Sequence, residues 1–143
     1  MDILDARQRI AQNIMNAINT INITDNSVIV YDIDGTLFEE NGTPIYPIID
    51  TYRHAMSAGL KTAIITARLG TEQNITATQE QLHSHGIKDY TFMYFLHPTK
   101  NDPAWYKYIA RKNLHERGHV VVISIGDMPW DIGHYGGIGF KVF

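Results

Sequence analysis

Two carboxylates one residue apart, Asp32 and Asp34, are followed at once by Gly35 and Thr36. A glycine at that point lets the backbone bend sharply, and a bend at the end of a strand brings the two acids towards one shared volume. Carboxylates that close repel each other unless a cation joins them or one keeps a proton. A hard divalent ion that prefers oxygen ligands, such as Mg2+, answers that repulsion. More residues of the same usefulness come later: Thr66, Ala67 and Arg68 after an apolar run, Lys107 within a helical pattern, and Asp127 and Asp131 in Gly126-Asp127-Met128-Pro129-Trp130-Asp131. An EF-hand loop counted from Asp32 needs Asp or Asn fifth and Gly sixth; Thr36 and Leu37 stand there, so that reading fails. A glycosyltransferase D-x-D metal site also fits the pair taken alone, although 143 residues is short for a nucleotide-sugar domain.

The elements that must position these residues follow from periodicity. Val28-Ile29-Val30-Tyr31 is apolar without clean alternation, the pattern of a strand buried on both faces of a parallel sheet. Before it, Ile3, Leu4, Ile10, Ala11, Ile14, Met15, Ile18 and Ile21 recur at helical spacing and predict an amphipathic helix over 3–21, packed on the domain. After it comes a polar turn from Glu39 to Pro44, then a helix opened by Pro47 and closed by Gly59. Lys61–Thr66 reads as the second strand, ending at Thr66. Thr71 caps the next helix and Gly86 stops it; Thr91–Leu96 is a third strand. Asp102-Pro103 starts a helix that runs to about Arg117, and His119–Ile125 is a fourth strand. A glycine-rich stretch leads to a last strand, Phe140–Phe143.

Strands alternating with helices predict an α/β fold in three layers, with right-handed crossovers and a central parallel sheet. Ligands of such sheets bind beyond the carboxyl ends of the strands. Asp32 and Asp34 follow the first strand, Thr66 ends the second, the approach to Lys107 follows the third, and Asp127 and Asp131 follow the fourth. A hydroxyl, an ammonium and four carboxylates are thus expected on one rim.

The totals narrow the alternatives. A chain of 143 residues is about one domain, and 1–143 is read as a single one. Net charge is −3, so no basic footprint points to nucleic acid or an anionic membrane. There is no cysteine, which excludes disulfides, thiolate zinc sites and cysteine nucleophiles. No apolar run approaches the ~20 residues of a membrane span, and Asp2, Asp5, Arg7 and Arg9 interrupt any signal-peptide core. A cytoplasmic location is expected.

In order and type, these motifs resemble the haloacid dehalogenase (HAD) superfamily. The first motif is Asp32-Ile33-Asp34-Gly35-Thr36; the second is Ile64-Ile65-Thr66-Ala67-Arg68. The third is a lysine, for which Lys107 is chosen over Lys100 and Lys112; the fourth is Gly126-Asp127 with Asp131. The set is most similar to the acid-phosphatase branch that includes plant vegetative storage proteins, through Tyr106-Lys107, Arg111-Lys112-Asn113-Leu114, Gly118, Ile125-Gly126-Asp127, Asp131 and Phe140-Lys141. The likeness covers residues 28–143 and leaves out the first helix.

That resemblance implies a HAD-like Rossmannoid fold and a Mg2+-dependent phosphatase acting through an aspartyl-phosphate. It assigns Asp32 as nucleophile and Asp34 as the acid and base for the leaving oxygen and the attacking water. Mg2+ is implied on Asp32, the Asp34 backbone carbonyl and Asp127, with Asp131 orienting around it. Thr66 and Lys107 hold the phosphate, with Gly35 and neighbouring amides such as that of Ala67 completing the cradle. Arg68 touches substrate or pairs with an acid. Trp105 and Trp130 are candidates for the site mouth. HAD caps are inserted after the first motif or between the second and third. The gaps here hold only elements that the sheet itself needs, so the enzyme is expected to be capless, with room for a bulky phosphoester. Polynucleotide 3′-phosphatases share the motif set, but the absence of a basic surface disfavours nucleic acid. A non-catalytic storage or binding relative is the rival reading, and a neighbouring subunit acting as lid is left open. His83 and His85 lack a third ligand, and the N-x-T triplets at Asn22, Asn41 and Asn74 are read as chance.

Overall fold

Ser27–Tyr31 has no polar face: all five residues are buried, as a strand covered from both sides requires. This is β1, the middle strand of a five-stranded sheet in the computed structural model, which describes residues 2–99 and 102–143. Before it lies α1 (Ile3–Thr20); after it come α2 (Tyr46–Ser57), β2 (Lys61–Leu69), α3 (Glu72–Ser84), β3 (Phe92–Leu96), α4 (Pro103–Glu116), β4 (Val120–Gly126) and β5 (Ile138–Lys141). A 3-10 turn, Pro129–Asp131, separates the last two strands. The strand order is β3-β2-β1-β4-β5, with every pairing parallel. The chain therefore reverses its direction of travel at β1, and the crevice between the ends of β1 and β4 is the switch point where such sheets bind ligands.

Alternation along β1 divides the core. Ile29 and Tyr31 face Ile14 and Ile18 of α1, Ile48, Ile49 and Tyr52 of α2, and Leu82 of α3. Val28 and Val30 face Ala110 and Leu114 of α4. The fold is thus three-layered, with α1, α2 and α3 over one face and α4 over the other. The amphipathic stripe of α1 is spent on the domain, since Ala11, Ile14 and Ile18 are buried. Full burial of an isoleucine is worth roughly 1.5–3 kcal/mol.

The helix starts obey their caps. Thr71 accepts a hydrogen bond from the Asn74 amide and Asp102 one from the Trp105 amide; each satisfies a donor that the first turn leaves unpaired. Among the described residues, α2 is the sole helix between β1 and β2, and α3 the sole helix between β2 and β3. No helix of the described residues is long and apolar enough to cross a membrane.

Two strands differ from the sequence reading by more than one residue at a boundary. β2 does not stop at Thr66 but continues to Leu69, because its register with β3 shifts: Ile65 pairs with Tyr94, and pairing resumes at Leu69 with Leu96. Such a bulge re-aims side chains where a strand leaves its ladder, here Thr66, Ala67 and Arg68. β5 begins earlier than Phe140, at Ile138, and ends at Lys141.

Candidate active site

β1 delivers Asp32 to the rim. The Asp32 amide donates to the Ile125 carbonyl of β4 at 3.0 Å, which extends the β1–β4 ladder by one residue. The chain then turns through Gly35, whose φ of +78° belongs to the left-handed region. No side chain fits there: a Cβ on Gly35 would run into the Asp127 carboxylate. Gly126 serves the same purpose on β4, since the Asp131 side chain packs where its Cβ would stand. Two glycines thus admit two carboxylates to one small space.

The carboxylates of Asp32, Asp127 and Asp131 each offer an oxygen, and these three oxygens lie within 4.8 Å of one another. Lys107 of α4 reaches among them, with Nζ donating to Asp32 Oδ1 at 2.8 Å and to Asp131 Oδ1. Thr36 donates its hydroxyl to the other Asp32 oxygen at 3.2 Å. Asp32, Lys107 and Asp131 are all buried, with exposures of 6%, 3% and 4%. Three acids around one ammonium leave excess negative charge at the floor of the site, where Asp32 and Asp131 are buried and Asp127 is half-buried. Burial and, less strongly, Asp131 push the Asp32 carboxyl up to about 8, against the pull of Lys107. Burial works to lower the Lys107 ammonium, but Asp32 and Asp131 outweigh it and raise it.

That surplus is the test of a cation. The donors are all carboxylate oxygens, crowded together through two glycines, and one of them keeps a proton when nothing else is supplied. Such a set suits a hard, oxygen-seeking divalent ion.

Asp131 is held from three sides. Its second oxygen accepts from the Met128 amide at 3.0 Å. Arg111, one turn beyond Lys107 on α4, donates to the carbonyls of Trp130 at 2.8 Å and His134 at 3.0 Å. Arg111 is 3% exposed and so clamps the segment that carries Asp131. The sequence reading gave it no such part; its i, i+4 spacing from Lys107 was the available signal.

Asp34 points elsewhere. Arg68 grips both its oxygens, Nη2 to Oδ1 at 2.8 Å and Nε to Oδ2 at 3.0 Å. Of the two alternatives for Arg68, pairing with an acid is the one present. Thr66 is fully buried, and its hydroxyl accepts from the Arg68 amide at 3.1 Å. Lys112 lies at the surface, 3.8 Å from Glu116. Lys100 lies outside the described residues. Lys107 is therefore the lysine that the described fold brings to the acids.

A cavity of about 200 Å³ opens over this cluster, lined by Asp32, Asp34, Ala67, Lys107 and Asp127. Glu40, Pro103, Met128 and Trp130 complete its wall. Trp130 thus lines the opening and Trp105 does not. Glu40 lies on a loop that leaves no periodic signal in sequence. A larger, shallow hollow along α3, by Glu72, Thr76 and Glu80, contains none of these groups. His83 contacts Tyr90, and His85 packs edge-on against Phe38.

The fold is similar to that of the class C acid phosphatase from Bacillus anthracis, with a TM-score of 0.65 and 16% sequence identity over 91% of this chain. The likeness takes in 63% of that protein, so the chain spans less than two thirds of its length. No curated protein matches in sequence. A family model for the HAD superfamily, subfamily IIIB (acid phosphatase) matches residues 39–141, which begin just beyond the first acidic pair. Since that match takes in most of the chain, the protein belongs to subfamily IIIB of the HAD superfamily, the acid phosphatases.

Proposed function

We propose that the protein is a Mg2+-dependent phosphatase that hydrolyses a phosphomonoester through a phosphoryl group carried on Asp32. The observation that carries this reading is the buried Lys107, set between Asp32 and Asp131 with Asp127 alongside. Nothing in the packing of the core requires that group of charges, and burying it is costly.

In the first half-reaction an Asp32 oxygen attacks phosphorus, and the bond from phosphorus to the ester oxygen breaks. The departing alkoxide takes a proton from Asp34. In the second, Asp34 takes a proton from water as the water oxygen attacks the same phosphorus. Inorganic phosphate leaves, and the Asp32 carboxylate is restored. Lys107 and the Thr66 hydroxyl meet the charge that builds on the phosphoryl oxygens. Ala67, within β2, lines the cavity beside them, whereas the Gly35 amide donates to the Phe38 carbonyl at 2.7 Å. Asp32, Asp127 and the Asp34 backbone carbonyl hold Mg2+, with Asp131 orienting its surroundings. When bound, the ion neutralises the phosphate and lets Asp32 remain ionised beside it.

We read residues 1–143 as one capless unit, because among the described residues the connections after β1 and β2 hold only α2 and α3. An open cavity accepts a phosphate displayed on a large carrier. A generic phosphoester assay tests the whole reading: turnover should require added Mg2+, and Asp32→Asn should lower it by at least about 10³-fold. Undiminished turnover by Asp32→Asn would sink it.

A further inference from the structure

Arg68 has more partners than an ion pair needs. While Nε and Nη2 hold the Asp34 carboxylate, Nη1 donates to Thr78 Oγ1 at 3.0 Å and to Gln81 Oε1 at 2.9 Å. Thr78 and Gln81 lie three apart on α3, so they share one helix face. Thr78 is 1% exposed. Four hydrogen bonds thus fall on the five N–H groups of the guanidinium, and each of its three nitrogens is engaged. An unbraced arginine pivots on its long side chain, whereas one fixed at its far edge presents a rigid fork. The fork in turn fixes the plane of a carboxylate that is itself 41% exposed and lines the cavity.

We propose that Thr78 and Gln81 are positioning residues for the proton transfer to the leaving group, acting through Arg68 on Asp34. They touch neither phosphate nor Asp34. Their contribution is orientation: a proton donor is effective only within hydrogen-bond reach of the departing oxygen. The inference rests on the assignment of Asp34 as acid, and the chemistry supplies a way to test the two separately. An alkoxide leaves poorly unless it is protonated as the bond breaks, whereas a nitrophenolate leaves without help. Loss of a well-aimed acid therefore harms alkyl phosphates and largely spares 4-nitrophenyl phosphate.

The test measures kcat/KM with Mg2+ for 4-nitrophenyl phosphate and for glycerol 2-phosphate, because this ratio reports the steps up to alcohol release. Variants are Gln81→Leu, Thr78→Val and Thr78→Ser. Gln81→Leu and Thr78→Val should each lower the value for glycerol 2-phosphate by about tenfold, with 4-nitrophenyl phosphate changed less than about twofold. Thr78→Ser keeps the hydroxyl and should restore the alkyl substrate. Equal losses on both substrates, or no loss, would overturn the proposal, because a purely structural part is blind to the leaving group. Asp34→Asn is the reference. If it discriminates between the substrates while the α3 variants do not, the positioning role falls and the acid assignment stands. If Asp34→Asn does not discriminate, the acid assignment falls and the positioning role goes with it.

Discussion

At the scale of single residues, the site is a matter of charge arithmetic among buried groups. Lys107 is the sole cation in contact with Asp32 and Asp131 among the described residues. Removing it as Lys107→Met leaves two buried carboxylates without a counter-charge, a loss of about 3–5 kcal/mol. Denaturant unfolding should show that loss, and millimolar Mg2+ should return part of it by loading the same acids. Asp32 gives a second expectation. Burial raises its carboxyl from the ordinary 3.8 to about 8, so between these values the folded metal-free protein holds a proton that the unfolded chain releases. Its stability is then fullest below about pH 4 as far as this group goes, and declines as pH climbs through 8. Melting temperatures of the metal-free protein, compared with those of Asp32→Asn across that range, should show the decline only where Asp32 is present. Added Mg2+ should flatten it, because the cation takes the proton's place. At this scale the sequence was informative about identity and silent about partners. The types and order of Asp32, Asp34, Lys107 and Asp127 could be read off, but the contact of Arg68 with Asp34 joins a residue of β2 to one in the turn after β1, and no spacing rule announces it.

At the scale of elements, α4 governs the far side of the pocket. It inserts Lys107 between the acids and, one turn later, uses Arg111 to hold the carbonyls of Trp130 and His134. Replacing Arg111 with Leu removes two charge-assisted hydrogen bonds and strands their acceptors, at a cost of about 2–4 kcal/mol. The same change frees Asp131 to drift, so the Mg2+ concentration for half-maximal activity should rise several-fold while Asp32 stays in place. Metal titration of the folded variant checks this. Helices and strands themselves were legible, since β1, α3 and α4 carry clear periodicity and capping signals at Thr71 and Asp102. The end of β2 was not. A register shift is set by how β2 and β3 pair, and the single strand in isolation reads only as an apolar run that gives out at Thr66.

At the scale of the whole molecule, the order β3-β2-β1-β4-β5 puts the middle strand between an early neighbour and a late one. The alternation of strands and helices made a parallel sheet legible. The lateral order was not spelled out by any one segment, because it depends on which faces remain to be covered. The arrangement also governs timing. β1, α2 and β2 follow one another along the chain and can zip together over short loops, whereas β4 must come back across the intervening elements to dock on β1. Contacts between distant stretches form slowly, since the entropy of closing the long loop is lost before the contact rewards it. Helical signal should accordingly return early when denatured protein is diluted into buffer, and the power to split a phosphoester should lag behind it until β4 docks. Stopped-flow dichroism run beside a double-jump activity assay would expose the delay, and simultaneous recovery would mean that the two halves of the catalytic rim are already together in the first collapsed state.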